Sequence, residues 1–382
     1  MAPALQRGLR AALTSSLLVG GGLTASVLMA TTVSSAPIYS VIGTIPVGNV
    51  PGGVAVDPSS HAVYIANAGS NSVSVVDESG DAANGTVTAT IPVGVSPSGV
   101  AVDPTTHAVY VANFGSNYGL GSVSVIDESG DLATGTVTAT IPLGSNPIGV
   151  ALDPSTHAVY VTDYYYGGTN SGPGAVSVID ESGDATTGTV TATIGVGNGP
   201  EAVAVDLSTH AVYVTNNNSG SVSVIDESGD ATSGTVTATV PLSGAFGVTV
   251  DPSTHLVYVT SFGLGSVSVI DESGDTTTGT VISVATAGYT PTAVAEDLST
   301  HMLYVGHRFA DSASLANSVS VIDESGDSTT GTVVATIGVG TDPEGVAVDP
   351  ATHTFYVTNS GSGTVSVVRN LSRPVRQLLM RI

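Results

Sequence analysis

The stretch Val203 to Asn216, VAVDLSTHAVYVTN, returns seven times along a chain of 382 residues, and each copy carries one histidine: His61, His107, His157, His210, His255, His301 and His353. Successive histidines are 46, 50, 53, 45, 46 and 52 residues apart. The residues between them form short runs of valine, threonine and isoleucine bounded by turn formers, with no apolar stripe of helical period. A unit of this length buries its apolar faces only by stacking on its neighbours, so the repeat predicts one blade per copy and a closed ring. The expected fold is all-β: a seven-bladed β-propeller of four-stranded antiparallel blades.

The first repeat illustrates the four strands: Gly53 to Val56, Ala62 to Ala66, Ser72 to Val76 and Thr86 to Ile91. The second strand is apolar on both faces, as a blade held between two others requires. At the chain's ends the repeat is incomplete. Pro37 to Gly48 ends in TIPVG, as do other repeats, but lacks what precedes it, whereas Gly345 to Val368 carries three strands and no TIPVG. The two fragments add up to one blade, so the strand at Ser40 to Pro46 is expected to join the C-terminal blade and close the ring.

Two turns recur. Asp-Pro-Ser/Thr-Thr-His joins the first and second strands, and Asp-Glu-Ser-Gly-Asp follows the third strand at Asp77, Asp127, Asp180, Asp226, Asp271 and Asp323. In an up-and-down blade both turns fall on one face, which is therefore repetitive and acidic. The opposite face carries the loops that differ between copies. Its longest are Asp163 to Gly174 and His307 to Asn317. Divergent loops on a copied scaffold are where binding specificity is placed, so the expected ligand or partner contacts are Tyr164, Tyr165, Tyr166, Arg308 and Phe309, joined by Phe114, Tyr118 and Phe262 from the matching loops.

Only seven residues are Lys or Arg, and Arg308 alone lies inside the repeats, among all 31 acids. The span from Pro37 to Val368 therefore carries a net charge of −30 and repels phosphate backbones, which argues against nucleic-acid partners. Cysteine is absent, which excludes disulfides and thiolate metal sites. Residues 1–36 place two arginines before an apolar stretch from Ala11 to Ala30 and small residues at Ser34 to Ala36, the pattern of an export signal. An uncleaved membrane anchor is the other reading, and Pro37 after the small residues favours it. Either way the expected location is secreted or cell surface, with residues 37–368 as the propeller and 369–382 as a basic tail.

The phrases Tyr110-Val111-Ala112-Asn113, Tyr213-Val214-Thr215-Asn216 and Tyr356-Val357-Thr358-Asn359, with the Ser-Val-Ser-Val-Ile-Asp and Ala-Thr-Ile-Pro-Val-Gly segments, resemble the YVTN-family β-propeller repeat proteins of the surface-layer type. The resemblance spans Pro37 to Val368 and departs at Thr162-Asp163, Ser261 and Gly306-His307. It implies a seven-bladed, exported or cell-surface binding or surface-layer-type module with no shared catalytic set, and the divergent aromatic loops add a protein or glycan as the expected partner. With no tryptophan, the chain does not look like a WD40 propeller.

The chemistry of a site is less sharply written. Seven histidines in register invite a metal, but equivalent atoms on neighbouring blades lie roughly 10 Å apart, whereas zinc takes ligands about 2 Å away. A turn residue that pairs with Asp or a carbonyl fits better. The Asp-Glu-Ser-Gly-Asp turns lack a dedicated calcium loop's pattern, so no cofactor is expected beyond weak Ca²⁺ association. Nucleophile elbows, phosphate loops and His-Glu-x-x-His are missing. The alternative function is a metal-dependent, lactonase-like hydrolase in the central channel, built on Glu201, Glu344, His307 and Asp163 with the strand-end asparagines.

Overall fold

The computed structural model describes residues 37–77, 85–116, 120–127, 135–143, 146–164, 173–180, 188–226, 234–271, 280–286, 290–308, 317–324 and 331–371. Residues 1–36, where an export signal or anchor is expected, and the tail beyond 371 lie outside them, as do the acidic turns past their first Asp, Glu324 excepted. So do Tyr118, Tyr165, Tyr166 and Phe309.

Among the described residues, twenty-eight strands form seven antiparallel four-stranded sheets arranged as a ring. The protein is thus an all-β, seven-bladed propeller. Blade 1 consists of β2 (Pro51–Asp57), β3 (Ala62–Asn67), β4 (Ser72–Asp77) and β5 (Val87–Pro92), from the channel outward. Blades 2 to 6 repeat that order, with inner strands β6 (Pro97–Val102), β10 (Pro147–Asp153), β14 (Pro200–Asp206), β18 (Ala245–Asp251) and β22 (Pro291–Asp297). The seventh sheet holds β26 (Pro343–Asp349), β27 (Thr354–Asn359) and β28 (Thr364–Asn370), and β1 (Tyr39–Pro46) pairs with β28 at its outer edge.

Each letter of the repeated phrase has a task. The second strand of each blade is buried along almost its whole length, so its two faces serve two different seams. Tyr213 packs forward against Val257, Val259 and Ile270 of blade 5, whereas Val212 and Val214 pack back against Tyr160 and Val178 of blade 3. Burying a side chain of this size stabilises by about 1.5–3 kcal/mol, and seven seams repeat the arrangement. The threonine of the phrase crosses the same seam by hydrogen bonding. Thr215 Oγ1 accepts from Ala202 N at 3.0 Å and donates to Phe246 O at 2.6 Å in the next blade. Thr162, Thr260 and Thr358 likewise donate to Glu201 O, Thr292 O and Gly52 O.

The asparagine stays within its blade. Asn216 Nδ2 donates to Ser223 Oγ at 3.0 Å and to Ser221 Oγ at 3.3 Å, which ties it to the SVSVID strand. Gly197, in the loop after the outer strand of blade 3, sits so close that a Cβ would lie 2.7 Å from Asn216 Cγ, so only glycine fits there. A Cβ on Gly53 would come within 2.3 Å of Ser98 O, and inner strands approach one another this closely around the channel.

The seven histidines all occupy the left-handed region, with φ between 54° and 63°. Histidine tolerates this region better than branched residues do. His61, His107, His210, His255 and His301 each close their own turn, as where His107 N donates to Asp103 O at 2.8 Å. Their rings then reach the preceding blade. Nδ1 of His61, His107, His255 and His353 donates to Asp349, Asp57, Asp206 and Asp297 at 2.7–2.8 Å, and His210 bonds Asp153 in the same way. The expected pairing of histidine with Asp is present, and the partner is the Asp of the neighbouring blade. Two seams differ: His301 lies 3.6 Å from Asp251, and no ion pair joins His157 to Asp103.

Candidate functional site

Inner strands begin at the mouth of the central channel, where a cavity of ≈ 620 Å³ opens. Much of its wall is the backbone of Gly52, Gly53, Gly99, Gly149, Gly247 and Gly345, because the inner strands are rich in small residues. Among the described residues that line it, only Glu201, Arg308 and Glu344 carry charge. Glu201 and Glu344 are each the second residue of an inner strand, the position that in other blades holds Gly52, Ser98, Ile148, Phe246 and Thr292. Arg308 follows β23 (Met302–His307), and its Nη1 lies 3.4 Å from Glu344 Oε1.

Burial and the nearby charge of Glu344 push Glu201 up to about 7, against the pull of Arg308. A carboxyl raised in the folded state favours folding less as it ionises. Its contribution falls as pH rises from 4.5 through 7. Glu201→Gln should therefore melt higher than the wild type at pH 8 and at the same temperature at pH 4; equal melting at both would contradict a raised Glu201.

The aromatic residues expected at the binding face are only partly gathered here. Phe114 lines the cavity. Phe262 stacks on the cavity-lining Phe246 with ring centroids 5.7 Å apart. Tyr164 instead reaches sideways, and its hydroxyl accepts from Asn218 Nδ2 of the next blade at 3.2 Å. Tyr165, Tyr166, Tyr118 and Phe309 lie outside the described residues.

The channel-centred oxygen cluster expected around Glu201 and Glu344 is corrected by the geometry. Asp163 and His307 are fully buried inside their own blades, where Ser177 Oγ donates to Asp163 Oδ2 at 2.6 Å and His307 Nε2 bonds Ser320 Oγ at 2.9 Å. They occupy the asparagine position of the repeat and share its task, as do Asn67, Asn113, Asn216 and Asn359. None of the six lines the cavity. The misplacement has a simple cause: a strand-end side chain alternates between two faces, and here the cross-strand serine, not the channel, sets its direction.

Fold and mouth together define a propeller with a central pocket lined by two glutamates and one arginine. No family model matches the chain, and no curated protein matches it in sequence. Among solved structures it is similar to a chain of Kuenenia stuttgartiensis hydrazine synthase, with a TM-score of 0.66 and 22% identity over 85% of this chain and 96% of that one. At that identity the likeness carries the fold alone.

Proposed function

We propose that this is an exported or cell-surface propeller of the YVTN type that acts as a non-enzymatic binding module and takes a protein or glycan on its variable loop face. One observation carries the reading: at one mouth of the ring Phe114, the Phe246–Phe262 stack, Glu201 and the Arg308–Glu344 pair share a cavity region. Aromatic faces beside a carboxylate and a guanidinium suit a sugar ring or a peptide segment, with stacking for area and charged groups for orientation. Binding of extracellular glycans and proteins by the full chain tests it. Phe114→Ser and Arg308→Ala should each weaken a measured interaction by about tenfold, a typical hot-spot loss, with unchanged melting. Undiminished binding by both variants would remove the mouth as the site.

A hydrolase reading keeps one supporting observation, the Glu201 carboxyl poised near neutrality, where a proton donor or acceptor works best. It has lost the other oxygen ligands once assigned to it, and Arg308 already supplies positive charge to Glu344. Metal-dependent turnover that disappears in Glu201→Gln would favour this reading over the binding module.

A further inference from the structure

The seam between blades 5 and 6 departs from the other seams at one residue. The residue before the turn aspartate that follows or ends the inner strand is Val56, Val102, Leu152, Val205, Val250 and Val348 in six blades, and Glu296 in blade 6. Both carboxylate oxygens of Glu296 are buried and have no hydrogen-bond partner. Across the seam Asp251 is 1% exposed; its Oδ1 accepts from Ser253 N at 2.8 Å and Ser253 Oγ at 2.6 Å, whereas its Oδ2 is buried without a hydrogen-bond partner. In five other seams the corresponding oxygen receives the histidine Nδ1–H at 2.8 Å or less. Here His301 Nδ1 stands off at 3.6 Å. One oxygen from each carboxylate and one ring nitrogen lie within 4.8 Å of one another, and Glu324, 7% exposed, adds negative charge beside them.

Two explanations without a ligand fail on these distances. A proton shared between Glu296 and Asp251 would bring two oxygens into hydrogen-bond contact, and neither Glu296 oxygen makes one. An ordinary His–Asp link would close His301 onto Asp251 as in the neighbouring seams. The gap between them has a lone pair or negative charge on three sides, which suits a cation. We propose that this seam binds one divalent transition ion of the zinc class, held by Asp251 Oδ2, a carboxylate oxygen of Glu296 and His301 Nδ1. Ligand type decides the class: one imidazole with two carboxylates and few ligands suits zinc, whereas calcium takes six to eight oxygens. Side-chain rotations on the order of 1 Å bring the three atoms to the ~2 Å bonds that zinc requires. The half-exposed ring of His301 gives the ion a route in and leaves one coordination position to water.

The test uses the tag-free, chelator-treated full chain and Zn²⁺ alone, followed by calorimetric titration and melting. The wild type is expected to bind one equivalent and to melt higher when loaded. Glu296→Val, which installs the residue five other blades carry, should lose at least about 100-fold in affinity and all of the zinc-dependent shift. Its metal-free melting should equal or exceed that of the wild type, which separates lost ligation from lost folding. His107→Asn, in a seam without a buried glutamate, should keep the wild-type stoichiometry and affinity. Zinc binding that is equal in wild type and Glu296→Val, no saturable site in the wild type, or tighter binding of Ca²⁺ than of Zn²⁺ would each overturn the proposal.

Discussion

Deleting residues 37–48 is expected to lower the melting temperature by on the order of 10 °C and to make the protein associate in a concentration-dependent way. β1 covers the outer edge of β28 from Tyr39 opposite Asn370 to Pro46 opposite Thr364, with one register shift between Val41 and Gly43. Its removal leaves that edge unpaired, and an unpaired edge is a template for another chain. Side chains are lost as well. Ile45 is 3% exposed, and Tyr39 packs edge-on to Tyr304 at 6.1 Å and against Phe355 at 6.2 Å. Loss of two such groups costs about 2–5 kcal/mol each, before any backbone pairing is counted. A synthetic peptide spanning residues 37–50 should restore the lost stability when added in excess, because it supplies the same strand without the covalent link. Unchanged melting and monomeric behaviour after the deletion would show that the strand is not a latch.

How much of this was legible in the chain depends on whether the information runs along the strand or across the seam. Blade number, strand order and the two-sided burial of the Tyr-Val strand follow from a repeat whose period and alternation are visible in one dimension. The direction of Asn216 or His307 does not, because it is set by a serine on the adjacent strand, and both faces of a strand end are open to a side chain until that pairing is known. The histidines show the same division. Their place in a turn with Asp is readable, but the partner carboxylate is 49 to 57 residues away for His107, His210, His255 and His353, beyond any local pattern. Glu296 is the instructive omission. A search for ligand spacing along the chain passes over it, whereas stacking the seven copies column by column exposes a lone carboxylate in an otherwise aliphatic column. A residue that breaks its own column has either taken over the column's task, as Asp163 and His307 have, or been left without it, as Glu296 has.

Disabling a single seam aspartate should be the most damaging point change outside the apolar core. Asp206 accepts from Ser208 N at 2.8 Å, from Ser208 Oγ at 2.6 Å and from His255 Nδ1 at 2.8 Å, so it holds its own turn and the next blade at once. Burial alone would push such a carboxyl up. Hydrogen bonds from the following serine and the presence of the neighbouring histidine nevertheless hold Asp57, Asp153, Asp206, Asp251 and Asp297 below their ordinary value of 3.8. A carboxyl lowered in the folded state contributes stability that is present above its unfolded value and is lost as pH falls through the folded one. Five such groups make the ring acid-sensitive below about pH 4, while Glu201 and Glu296, raised to about 7 and about 8, work in the opposite direction as pH climbs. Stability of the metal-free chain should therefore peak between these limits, near pH 4–5, and decline toward pH 8. Asp206→Ala is expected to cost about 1–3 kcal/mol at pH 7, the range for leaving buried hydrogen-bond donors without their acceptor, measured by chemical denaturation. Asp206→Asn keeps the side chain's shape and one acceptor oxygen, so it should cost less and should flatten the acid limb by the share of one proton. If Asp206→Asn matches the wild type in both stability and acid slope, the His–Asp links are incidental and the seams are held by their tyrosines and valines alone.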